Sequence, residues 1–149
     1  MSDATSRYLD DLAVGDNFTS STYEITADEI IAFASQFDPQ PFHTDEIAAQ
    51  NTFFAGLAAS GWHTASLTMK LLVASFPVAH GIVGAGGDIA WPSATRPGDI
   101  LHVDSTVLKI TPSRSKPQGM VQVESLTKNQ HGEIRQRLVA NQVVPRRDH

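Results

Sequence analysis

The stretch GWHTASLTMKLLVAS, from Gly61 to Ser75, constrains the fold more than any other. It contains no proline and predicts a helix that ends before Pro77, because proline breaks a helix interior. Trp62, Ala65, Leu67, Met69, Leu71, Leu72 and Val73 cover much of its circumference. Only His63, Thr64, Ser66, Thr68 and Lys70 interrupt that apolar surface. A helix apolar nearly all round belongs in an interior. A chain of 149 residues is the size of one ordinary domain, so 1–149 is expected to form a single domain whose remaining segments wrap this helix.

The second half supplies the wrapper. GAGGDIAW, DILHVDSTVLKI, GMVQVESLTKN and EIRQRLVANQVV are strand-like and rich in Val, Ile and Thr, with turn signals in ATRPGD, TPSRSKPQG and NQHG between them. In the first half, LAVGDNFTSSTYEIT predicts a turn at Gly15-Asp16 and then a strand, with Phe18, Tyr23 and Ile25 as buried anchors. TADEIIAFASQF predicts a helix with a capping box, Thr26 as N-cap and Glu29 reaching back to it. This helix stops near Phe37, since Asp38 precedes a proline. HTDEIAAQNTFF predicts a short helix capped by Thr44, and residues 1–7 are expected to be frayed. Helices first and strands later argue for an α+β fold with an antiparallel sheet, not a doubly wound one.

The chain has no cysteine, which excludes disulfides, thiol nucleophiles and thiolate metal sites. His80, His102, His131 and His149 show no metal-ligand spacing. A net charge of -5 argues against a nucleic-acid footprint and against general attraction to anionic membranes. No basic-then-apolar leader and no long apolar run is present, so a cytoplasmic protein without a membrane span is expected.

One further stretch needs a chemical explanation. Asp38 and His43 flank Pro39-Gln40-Pro41-Phe42, in which each proline fixes its own φ and pushes its predecessor out of the helical region. Such stiffness suits polar groups that must keep one mutual geometry. Taken singly, Asp-Pro is a common turn, a loop histidine is usually just satisfied, and Gly61 is a close-packing glycine.

The order of FDPQPFHTDEIAA followed by SGWHTASL is similar to the MaoC-like dehydratase, or (R)-specific enoyl-CoA hydratase, family. The opening LAVGDNFTSSTYEITADEIIAFA and the later PSATRPGDIL and NQHGE fall in the order this resemblance expects. The resemblance implies a hotdog fold, an antiparallel β-sheet wrapped around a long central helix. It implies hydration of trans-2-enoyl thioesters, or dehydration of (R)-3-hydroxyacyl thioesters, of coenzyme A or an acyl carrier, with no metal and no redox cofactor. On this reading Asp38 and His43 handle the water and its proton, while Gly61, at a helix N-terminus, offers an N–H to the thioester oxygen. Gln40, Ser60, Trp62 and His63 are candidate substrate-binding neighbours. Gln40 stands where the family usually has asparagine, and Ser60-Gly61-Trp62 replaces the common His-Gly-Met, which places an indole near the expected acyl pocket.

Other assignments stay open at this point. A thioesterase, or an acyl-thioester-binding protein without turnover, is compatible with the same fold. Arg114 and Lys116 in PSRSKP, and Arg96 in TRPGD, are either coenzyme A phosphate contacts or ordinary turn residues. Unpaired sheet edges and the family's pairing habit predict a homodimer or an assembly of dimers.

Overall fold

The computed structural model describes residues 6–147. After a short helical turn at Leu9–Asp11 come β1 (Asn17–Thr19), β2 (Tyr23–Glu24), α1 (Ala27–Phe37), α2 (Pro41–Thr44) and α3 (Glu46–Ala49). The long helix α4 (Gly61–Ser75) follows, and then β3 (Val83–Ala90), β4 (Ile100–Pro112), β5 (Gln118–Lys128) and β6 (Ile134–Pro145). The strands form one sheet in the order β1-β4-β5-β6-β3, with β2 also on β4, and every pairing is antiparallel. α4 lies against this sheet, which gives the expected α+β hotdog arrangement.

Alternation along the strands explains which face is covered. On β4, Leu101, Val103, Ser105 and Val107 are buried while His102, Asp104 and Thr106 between them are not. β5 repeats the pattern with Val121, Val123, Ser125 and Thr127. Ser105 and Ser125 are register partners, and their hydroxyls meet at 2.9 Å. α4 divides the core. Leu72 packs with Phe76, Val107, Val121, Val123 and Val144, while Leu67 and Leu71 pack with Ile25, Ile30, Leu101 and Val103.

Several expectations need correction. α4 is not buried all round: Trp62, Met69 and Val73 are exposed, whereas Thr64 and Thr68 are buried. The sheet covers one side of the helix, and the threonines go inward because they find partners there. Thr68 Oγ1 donates to the Thr64 carbonyl at 2.8 Å and lies 2.6 Å from Thr127 Oγ1. The expected single strand before α1 splits into β1 and β2. Ile25 is fully buried, but Phe18 and Tyr23 are only half-buried. Thr44 does not cap the next helix. Pro41 starts α2 early, as proline can at a first helical position, and Asp45 caps α3 by accepting from the N–H groups of Ile47 and Ala48 at 2.9 and 3.0 Å. Of the stretch 1–7 expected to be frayed, residues 1–5 lie outside the described residues. Arg7 is pinned: its N–H donates to the Pro77 carbonyl at 2.7 Å and its carbonyl accepts from Ala79 N–H at 2.8 Å.

Leu72 is 1% exposed and sits where α4 meets the sheet. Leu72→Ala should lower unfolding free energy by about 2–5 kcal/mol in urea denaturation. A loss under about 1 kcal/mol would contradict this placement of the core.

Candidate active site

α1 delivers the carboxylate. Its last turn closes when the Asp38 N–H donates to the Ala34 carbonyl at 2.8 Å, and Pro39 prevents another turn. Gln40 then serves as N-cap of α2, and Pro41 occupies a first-turn position. One turn of helix swings His43 back toward Asp38, so His43 Nε2 lies 3.4 Å from Asp38 Oδ2. The prolines thus hold the fold-back that the sequence suggested.

Hydrogen bonding defines the protonation pattern. His43 is buried, and its Nδ1 lies 2.5 Å from the Ala58 carbonyl oxygen. A carbonyl only accepts, so Nδ1 carries the hydrogen and the neutral ring keeps a lone pair on Nε2. That lone pair faces the Asp38 carboxylate, so His43 and Asp38 present proton acceptors to the same point. Ser60 Oγ donates to Asp38 Oδ2 at 2.7 Å, and Gln40 Nε2 donates to Oδ1 at 2.5 Å. Partial burial pushes the Asp38 carboxyl up, but the bonds from Gln40 and Ser60, with the attraction of His43 when its ring is protonated, outweigh it and hold the group below the usual carboxylate value.

Ser60 is fully buried and also caps α4, accepting from the Trp62 N–H at 3.3 Å. Gly61 begins α4, and no acceptor among the described residues takes its N–H. That free N–H sits at the positive end of the helix dipole, where an anionic oxygen is favoured. A cavity of about 310 Å³ lies against His43 and Gly61, with Phe53, Phe54, Trp91 and Arg135 among its walls.

The structure therefore brings Asp38, His43, Ser60 and Gln40 together and puts Gly61 on the adjoining cavity. Gln40 and Ser60 spend their side chains on Asp38. Trp62 is 59% exposed and does not line the cavity. His63 is buried away from it, stacked on Phe33 with ring centroids 4.5 Å apart, and its Nδ1 has no partner among the described residues.

Sequence reasoning missed the supports. The Arg96 guanidinium turns inward and donates to the carbonyls of Phe54, Gly56 and Leu57 at 2.6, 3.1 and 3.2 Å. It clamps the segment leading to Ala58, the residue that orients His43. Arg135, on the cavity wall, forms a buried pair with Asp99, Nε to Oδ2 at 2.9 Å. Trp91 shares that wall. The Arg-Pro-Gly-Asp run hinted at a turn, but nothing local indicates that its arginine reaches back to the 54–57 segment. Arg114 and Lys116 occupy an exposed turn in which Ser113 Oγ accepts from the Lys116 N–H at 3.1 Å, and neither lines the cavity.

Comparison with known proteins gives the family and the fold. The family model described as MaoC like domain matches residues 12–129, and the chain belongs to that family. The crystal structure of the MaoC-like dehydratase from Rhodospirillum rubrum is 55% identical, covers 97% of this chain and 100% of that one, and superposes with a TM-score of 0.94. The R-hydratase PhaJ1 from Pseudomonas aeruginosa, 24% identical, shares the fold with a TM-score of 0.77 over 93% of this chain and 86% of that one. The YdeM protein of Bacillus subtilis is 37% identical over 65 residues, a match spanning 44% of this chain and 46% of that protein. The family and the Rhodospirillum rubrum dehydratase together support a hydratase or dehydratase role.

Burial keeps His63 neutral and lowers its pKa from the ordinary value of 6.5, with Glu29 opposing in part. The unfolded imidazole binds a proton near pH 6.5 and the folded one resists it. Stability is therefore fully present above about pH 6.5 and falls as pH drops toward 5. Denaturant titrations at pH 7 and pH 5 should show that fall, and His63→Phe should flatten it. An unchanged pH slope in the variant would contradict the assignment.

Proposed function

We propose that this protein adds water to trans-2-enoyl thioesters of coenzyme A or an acyl carrier, or runs the reverse dehydration of (R)-3-hydroxyacyl thioesters. One observation carries the reading: Asp38 and His43 stand 3.4 Å apart with Nδ1 of the imidazole committed to a carbonyl. Two neighbouring acceptors suit a water molecule, which has two hydrogens to donate.

The steps follow from that geometry. A water donating to Asp38 and His43 has its oxygen aimed at the substrate's β-carbon. As the C–O bond forms, the dyad takes one water proton and the alkene electrons move toward the thioester oxygen. The Gly61 N–H and the α4 dipole stabilise the charge that develops there. The proton held by the dyad then passes to the α-carbon, so the elements of one water are added and nothing is oxidised or reduced. Gln40 and Ser60 orient the carboxylate, and Arg96 and Ala58 orient the imidazole. The proposed reaction draws on no cofactor.

A homodimer is part of the proposal. All residues of β3 are exposed at an open sheet edge, and Trp62, Met69 and Val73 add an apolar stripe on α4. Open edges and apolar stripes favour association with a second copy. Light scattering should report a dimer or larger at micromolar concentration, and a well-folded monomer would contradict it.

The activity test follows loss of enoyl absorbance from crotonyl-CoA with a free-thiol reagent in parallel. Enoyl loss without thiol release supports hydration, thiol release indicates a thioesterase, and neither signal indicates a binder. Asp38→Asn and His43→Ala should each lower kcat by about 10² to 10⁴ with smaller effects on KM. The double variant should lose far less than the product of the single losses, because both groups serve one water. Stable single variants with near-wild-type hydration would contradict the proposal.

A further inference from the structure

The indole on the cavity wall belongs to Trp91, and its neighbours fix it there. Trp91 follows the last residue of β3. Its ring atoms Cε2, Cδ2 and Cζ2 lie 2.6 to 2.8 Å from the point a Cβ on residue 61 would occupy, so the ring rests directly on the first turn of α4. Residue 61 must be glycine for the indole to sit there. Trp62 meets it edge-on, with ring centroids 5.2 Å apart.

Gln136 supplies the remaining constraint. An indole donates only through Nε1, and here Nε1–H donates to Gln136 Oε1 at 2.9 Å. Gln136 is fully buried, and its Nε2 has no partner among the described residues. A buried amide with unused donors is unfavourable compared with an apolar side chain of the same shape. The hydrogen bond this glutamine makes is the one that orients Trp91.

A thioester oxygen on the Gly61 N–H and a β-carbon before Asp38 and His43 leave the α-carbon between them, beside Trp91. The cavity of about 310 Å³ is at the lower end of the roughly 300–1,000 Å³ typical of ligand pockets. We propose that Trp91, held by Gln136, sets the bulk of the acyl group admitted beside Gly61 and restricts the protein to short, unbranched acyl thioesters. This rests on the hydration reading above and names the substrate class for it.

The test compares kcat/KM for crotonyl-CoA, 2-methylcrotonyl-CoA and oct-2-enoyl-CoA in wild type, Trp91→Ala and the more conservative Trp91→Phe. Wild type should favour crotonyl-CoA. Trp91→Ala should raise the ratio of at least one bulkier substrate to crotonyl-CoA by about tenfold or more, the range one or two methylenes command in a packed pocket. Trp91→Phe should move it in the same direction by less. Unchanged ratios in variants that hydrate crotonyl-CoA overturn the proposal alone. A wild type that hydrates none of the three overturns the functional reading with it. A second readout does not depend on turnover. The chain has 2 tryptophans, so Trp62→Phe leaves Trp91 as the sole indole. Its fluorescence should change with butyryl-CoA, which has no double bond to hydrate, and not with free coenzyme A. Equal responses to both would place the acyl group away from Trp91 and overturn the proposal.

Discussion

The site depends on one hydrogen bond, from Ser60 Oγ to Asp38 Oδ2 at 2.7 Å. It joins the end of α1 to the beginning of α4, the helix that runs between both halves of the core. Whatever holds α4 against the sheet also holds the carboxylate. The imidazole has a parallel support: Arg96 clamps the 54–57 segment, Ala58 follows it, and the Ala58 carbonyl fixes Nδ1. Asp38 and His43 are close in sequence, but each also depends on a residue distant from both, Asp38 on Ser60 and His43 on Ala58. The proline turn brings them near one another, and the core decides their angle.

The electrostatics suit positioning more than basicity. Hydrogen bonds keep the Asp38 carboxyl below its usual range, which makes it reliably ionised and a weak base. A weak base contributes mainly by aligning the water and by accepting charge as the carbon–oxygen bond forms. In the proposed reaction the complementary charge, on the thioester oxygen, would fall at a helix N-terminus that supplies an N–H without moving. Neither end of the reaction then needs the protein to reorganise, which is the condition for preorganised electrostatic stabilisation.

Much of this was legible locally. The capping box of Thr26 and Glu29, the stop at Phe37 and the bounds of α4 are set by neighbours within a turn or two, and the structure places them where the sequence reading did. The Asp38–His43 proximity was legible because prolines restrict the few residues between. What failed to show was long-range. Thr64 and Thr68 read as breaks in an apolar surface, yet they turn inward because Thr95, in the loop before β4, and Thr127, on β5, meet them with hydroxyls at 2.9 and 2.6 Å. Trp62 attracted attention because it adjoins Gly61 in sequence, whereas the indole that touches Gly61 comes from Trp91, beyond the end of β3. Arg96 looked like a surface cation because its carbonyl partners are about forty residues away.

The central claim is that a single water, held by adjacent acceptors on one side of the substrate, supplies both the hydroxyl and the proton. Hydration of crotonyl-CoA in deuterium oxide tests it directly, with the product's relative configuration at the α- and β-carbons read by NMR. One water delivered from one side predicts that deuterium and hydroxyl add to the same face, giving a single diastereomer. Addition to opposite faces, or a mixture of diastereomers at early conversion, would contradict the claim that Asp38 and His43 share one water.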